Sequence, residues 1–246
     1  MDDHDEQSEH DERDERISAL AALDEPLRRR VYRYVIAQGS PVGRDEAAAA
    51  LGVARSVAAF HLDRLAKVGL LDVEYRRPPG RAGPGAGRPA KLYRRAPGEV
   101  SVSLPERHYD LVGRLLADAL VMASDEPVDP TEAARVTAHE HGRVLGRRVA
   151  SSSAVDEEAG LDRVAGALRS QGYEPQVQDR TVVLENCPFH AVAEEQRDLV
   201  CGMNLELVEG LIEGMGLPRV EARLDPVPGR CCVRVDERTR RGRRPA

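Results

Sequence analysis

Four cysteines stand in this chain of 246 residues, and their spacing is uneven: Cys187, Cys201, then the adjacent Cys231 and Cys232. The first two sit in the stretch NCPFHAVAEEQRDLVC, which also holds His190. Thiols can pack a core, join in a disulfide, ligate a soft metal or act as nucleophiles. Cys187 follows the strand-like run TVVLEN, and Pro188 suits the first position of a helix. A thiol at such a junction loses its proton more easily. Cys201 heads the apolar stripe Cys201–Leu205–Val208–Ile212–Met215 and is expected to point inward. Cys231 and Cys232 open the last strand and face opposite sides, Cys231 with Val233 and Val235 toward the core, Cys232 with Arg234. Cys187, Cys201 and Cys231 are therefore expected to converge on one interior place.

Three outcomes stay open for these thiols: a bound metal or cluster, thiol redox sensing, or inert packing. A zinc ribbon does not fit, because its two short CxxC-like pairs are missing, but a Cys3His zinc site with His190 does. A Cys187–His190 nucleophile lacks a third orienting group and an oxyanion feature, so no enzyme is expected.

The elements that position these residues begin with a segregated charge. Residues 1–16 carry nine acids against Arg13 and Arg16, a balance of -7, and are expected to be a disordered acidic tail. Residues 55–95 carry ten Lys and Arg against Asp63, Asp72 and Glu74, a balance of +7. The whole-chain charge of -6 hides that basic stretch. No apolar run approaches the roughly 20 residues of a membrane span, and the acidic start does not read as a signal peptide. A soluble, cytoplasmic protein with reduced thiols and no membrane partner is expected.

Periodicity predicts a helix in DEPLRRRVYRYVIAQGS, a short one in RDEAAAALG, and a third from about 55 to 68. LLDVEYRR and KLYRRA read as strands around the Gly/Pro loop RPPGRAGPGAGRPA. Three helices and a two-stranded ribbon with a basic tip is the order of a winged helix–turn–helix, over residues 17–98. In SVAAFHLDRLAKVG, Ala58, Leu62 and Leu65 share a core stripe, with His61 at its edge. Ser56, Phe60, Asp63 and Lys67 fall on the opposite side, with Arg64 at its flank. That face is expected to enter the major groove of duplex DNA. Arg55 and Arg64 suit phosphates or guanine edges, Ser56 a phosphate, and Phe60 a thymine methyl. Arg76, Arg77, Arg81 and Arg88 of the wing suit the phosphate backbone.

Residues 99–150 read as a helical linker, with helices at about 105–123 and 130–150. Residues 151–236 read as an α+β domain with an antiparallel sheet, and 237–246 as a basic disordered tail. The fold class is α+β.

The stretch ARSVAAFHLDRLAKVGLLDVEYRRPPGRAGPGAGRPAKLYR resembles the winged-helix domain of ArsR-like transcriptional regulators, over roughly residues 17–96. The resemblance implies a homodimer on a DNA operator, with Leu111, Leu115 and Leu116 as the seam. NCPF…LVC…N…L…G…PGRCC is similar to the C-terminal domain of SufR-type repressors, which hold an iron–sulphur cluster through spaced cysteines. Cys187, Cys201 and Cys231 fall near the first, second and fourth cysteine places, and Met215 stands near the third. On one continuous helix Met215 would lie about 21 Å from Cys201, too far to share its site. The resemblance implies an iron–sulphur cluster, with zinc as the alternative, on Cys187, Cys201 and Cys231. His190, Cys232, water or a small thiol would supply the fourth ligand.

Overall fold

The computed structural model describes residues 3–76, 89–152 and 160–238. The chain divides into two units, one of Ser8–Val102 and the other formed mainly from Ser103 onward. No described helix is long and apolar enough to cross a membrane.

The first helix, α1, spans Asp3–Ala22, so the acidic segment expected to be disordered is helical. Glu, Gln and Arg are good helix formers, and a Glu12–Arg16 pair one turn apart supports it. Helix α2 (Pro26–Ile36) is capped by Glu25, whose carboxylate accepts the N–H groups of Leu27 and Arg28. Strand β1 (Val42–Gly43) leads into α3 (Arg44–Leu51). Gly52, at φ +67°, makes the left-handed turn into α4 (Arg55–Lys67). Strands β2 (Leu71–Arg76) and β3 (Ala90–Arg95) pair antiparallel, and β1 adds to the other edge of β3. Val31, Val35, Ala58, Leu62, Leu65 and Tyr93 form the core of this unit. His61, at the edge of the stripe as expected, is buried, but it faces the Glu25 carboxylate at 3.5 Å rather than a carbonyl.

In the second unit, α5 (Tyr109–Asp125) and α6 (Pro130–Ser152) precede α7 (Gly160–Arg169). Strands β4 (Pro175–Gln178) and β5 (Thr181–Leu184) follow, then α8 (His190–Glu195) and the long α9 (Arg197–Gly214). Strands β6 (Val220–Leu224) and β7 (Val233–Glu237) complete an antiparallel sheet ordered β4–β5–β7–β6. Glu237, assigned from sequence to the basic tail, thus belongs to a strand, and 239–246 lie outside the described residues. Leu111 and Leu115, expected at a subunit seam, are instead buried in the same core as Val164, Leu168 and Val208. They alternate with exposed positions at helical spacing, and the sheet-and-helix layer behind them claims that face. Leu116 is half-buried against the same core.

Helices α6 and α9 run side by side in the same direction and meet through glycines, Gly142 and Gly146 on one, Gly210 and Gly214 on the other. His139 clasps the pair: Nδ1 lies 3.0 Å from Glu206 and Nε2 2.9 Å from Glu213. Burial alone would lower the imidazole pKa, but the hydrogen bonds to Glu213 and Glu206 together outweigh it and raise the value. A raised histidine pKa contributes stability below its unfolded value of about 6.5, and that contribution is lost as pH rises through the folded value. The stability gap between wild type and His139→Ala is therefore expected to be wider at pH 6 than at pH 8. Urea titrations at both values check this, and an equal gap would remove the charged clasp.

Candidate functional site

All four cysteines lie in the second unit, brought together by three separate pieces of chain. Beyond β5, Asn186 is buried and ties the turn to its surroundings: Nδ2 donates to the carbonyls of Gly172 at 2.7 Å and Glu106 at 3.2 Å. Arg107 donates to Asn186 Oδ1 and, at 3.1 Å, to the Cys187 carbonyl. The His108 N–H donates to the Pro188 carbonyl at 3.0 Å. The segment before α5 thus laces the cysteine turn in place. Cys187 opens a turn closed by the His190 N–H on its own carbonyl, and α8 starts only at His190. The expected helix N-terminus at Cys187 is therefore a β-turn, with Pro188 at its first inner position, where its fixed φ is suited.

The second piece is the segment just before β7. The Cys231 N–H donates to the Leu184 carbonyl at 2.9 Å, which sets Cys231 against the end of β5. Because β7 begins at Val233, Cys231 and Cys232 precede the pleat, and strand alternation does not govern them. The third piece is α9, which presents Cys201 and, one turn on, Asn204.

These pieces pair the sulphurs in a way the sequence reading did not anticipate. Cys201 is bonded to Cys232, with Cα atoms 6.3 Å apart. Cys187 and Cys231 are free, buried and hydrogen-bonded to each other. Cys232, expected to face away with Arg234, joins the group, and Cys201 meets Cys232 rather than Cys187. A hydrogen bond from the Cys231 thiol lowers the Cys187 pKa against the effect of burial, helped by the Phe189 N–H and the charge of Arg107. Donation to Cys187, with burial, pushes the Cys231 thiol up. The pair therefore holds its proton on Cys231 and its charge on Cys187.

Asn204 links the sulphurs to the core. Its Nδ2 donates to Cys231 Sγ at 3.3 Å, and its Oδ1 accepts from the Tyr173 hydroxyl. Tyr173 is 2% exposed and meets Phe189 edge to face, with centroids 6.4 Å apart. Sequence reasoning missed Asn204, Tyr173, Asn186 and Arg107. A signal was present for one of them: Asn204 interrupts the apolar run LVCGMNLELV, and a buried amide needs a partner.

His190 stands apart from the sulphur group. Its side chain is 54% exposed, with Nε2 3.3 Å from Glu194. It borders a cavity of about 220 Å³ that reaches Cys187 and is also walled by Arg107, Glu174, Glu185 and Arg230. As Cys201 and Cys232 are joined, no group of three or more His, Cys, Asp or Glu among the described residues is arranged to hold a metal ion. The donor chemistry nevertheless fits a thiolate-ligated group once that bond is reduced. Four sulphurs are then gathered, with the N–H groups of Asn204 and Phe189 aimed at two of them.

The first unit offers a different surface. On α4, Arg55, Ser56, Phe60, Arg64 and Lys67 are all exposed, Phe60 by 63%. Arg55 is paired with Asp45 at 2.5 Å, and Arg76, on β2, with Glu74 at 2.7 Å. Arg77, Arg81 and Arg88 lie outside the described residues. Asp63 shares the outer face but turns to the wing: it accepts from Tyr93 at 2.6 Å and from Lys91, with Arg44 at 3.5 Å. Two cations neutralise it, and the contact fixes α4 against β3.

Residues 23–74 match the family model described as a helix-turn-helix domain. The match covers α2 to α4 and most of β2, and β3 completes the wing, the frame of a DNA-binding regulator. No curated protein and no solved structure matches the chain.

Proposed function

We propose that this chain is a homodimeric transcriptional regulator, not an enzyme, whose second unit senses through its four cysteines and thereby modulates operator binding. The observation that carries the sensing reading is the gathering of Cys187, Cys201, Cys231 and Cys232 from three distant segments. In the reduced state these residues would hold an iron–sulphur cluster, or zinc, with Cys232 as fourth ligand in place of His190. Thiolates suit either group. Dimer contact falls to the outer side of α5, where Leu120 and Val121 are more than 60% exposed. Two wings then meet half-sites about one helical turn apart.

Anaerobic purification with reductant, followed by visible spectra and iron, sulphide and zinc analysis, tests the cluster. Wild type is expected to carry iron and sulphide, and Cys187→Ser and Cys232→Ser to lose most of both. Wild type with neither iron nor zinc above background sinks this reading. A metal-free thiol switch is the second reading, favoured by the Cys201–Cys232 bond. It expects operator affinity to change when that bond alone is reduced.

A further inference from the structure

The cavity at Cys187 is not accounted for by a site that only holds a metal. Its volume of about 220 Å³ suits a small molecule. Its walls carry two guanidiniums, Arg107 and Arg230, and two carboxylates, Glu174 and Glu185. That balance of opposite charges around one sulphur fits a zwitterion of amino-acid size better than a simple anion or cation. Behind Cys187, on the protein side, lies Cys231, hydrogen-bonded to it and held by its own N–H on the Leu184 carbonyl. A thiol that a small molecule can reach, backed by a second thiol in contact, is the arrangement of an attacking and a resolving cysteine.

We propose that Cys187 is a thiolation site for small zwitterionic disulfides, with Cys231 as the resolving thiol. The inference rests on reading these sulphurs as the sensing site, but not on which group they hold. In the first step the Cys187 sulphur attacks one sulphur of the small disulfide. A Cys187–S–S bond forms, the small disulfide's bond breaks, and one small thiolate leaves and takes a proton from solvent. In the second step Cys231 gives its proton to solvent and attacks the Cys187 sulphur. A Cys187–Cys231 disulfide forms, and the second small thiolate leaves and is protonated. The small disulfide gains two electrons and becomes two thiols, and the protein pair loses two. Both cysteine pairs are then bonded, since Cys201 already joins Cys232.

Full-length protein, chelated to remove metal, is incubated with cystine, quenched in acid and mapped by mass spectrometry. A cysteine adduct is expected on Cys187, giving way to the Cys187–Cys231 link. In Cys231→Ser, and in Cys231→Ala should serine disturb the core, the adduct persists. Cystamine, a dication, and dithiodiglycolate, a dianion, are expected to react about two- to fivefold more slowly than cystine, the effect of one or two exposed ion pairs. A first adduct on another cysteine, no Cys187 adduct in wild type and both variants, or equal rates for the three disulfides overturns the proposal. Iron and zinc are measured in the same preparation before chelation. Metal without an adduct removes only this inference, and an adduct without metal removes only the cluster.

Discussion

Gly210→Ala is expected to lower the stability of the second unit by about 3 kcal/mol or more, although it adds one methyl group. A Cβ at Gly210 would sit 2.0 Å from the His139 carbonyl oxygen, and one at Gly142 2.0 Å from that of Leu207. Gly146 and Gly214 meet Leu211 and Arg143 in the same way, at 2.2 and 2.3 Å. The opposing atoms are backbone carbonyls inside helices, so no rotamer change relieves the clash. The helices must move apart, toward the axial spacing of about 8–10 Å usual where larger side chains meet. Separation opens voids around Ala134, Ala138, Leu207 and Leu211, all buried at this contact or beside it, and a close-packed core loses stability with each void. It also moves Cys201 and Asn204, which ride on α9. Gly113→Ala is the control. That glycine is exposed on α5 with nothing within 4 Å of an added Cβ, so alanine should stabilise by about 0.5–1 kcal/mol. Urea titrations followed by circular dichroism separate the two signs. A Gly210→Ala protein within about 0.5 kcal/mol of wild type, the range of neutral surface changes, would falsify the close-contact account.

The helices and strands that carry a clean period were legible in the sequence. SVAAFHLDRLAKVG sorts into a buried and an open face at helical spacing, and the strands ending in VEARL and CCVRV appear as β6 and β7. Strand β1 escaped because two residues cannot show alternation. The acidic segment misled because low hydrophobicity argues against a core, not against a helix. Convergence of the cysteines followed from their places on inward faces, but their pairing did not. It turns on β7 starting two residues later than the pattern suggests, which frees Cys232 to turn toward Cys201. Arg107 and Asn186 were out of reach for another reason. Their role comes from contact between segments about 80 residues apart, which no local period encodes.

Operator affinity is expected to fall by about 10³ or more as salt rises from about 50 to 200 mM, the dependence of six or more phosphate contacts. Each copy offers Arg55, Arg64 and Lys67 on α4 and Arg76 on β2, with Arg77, Arg81 and Arg88 following in the wing sequence. Each cation that meets a phosphate releases a condensed counterion, so the slope of log affinity against log salt counts the contacts. Arg55 is held by Asp45 in the free protein, so its contribution is the exchange of one anion for another and should be smaller than that of Arg64. Arg88→Ala should weaken binding alike on all sequences and lower the slope by about one per copy. Phe60→Ala should act differently. A 63% exposed aromatic ring holds no charge to release, so the slope stays while discrimination at one base pair drops by about 1–3 kcal/mol. Equilibrium titrations of operator and scrambled duplex at several salt concentrations distinguish these effects. A salt-independent affinity would mean that the basic face meets something other than a phosphate backbone. A Phe60→Ala protein that keeps full sequence preference would move base reading away from this side of α4.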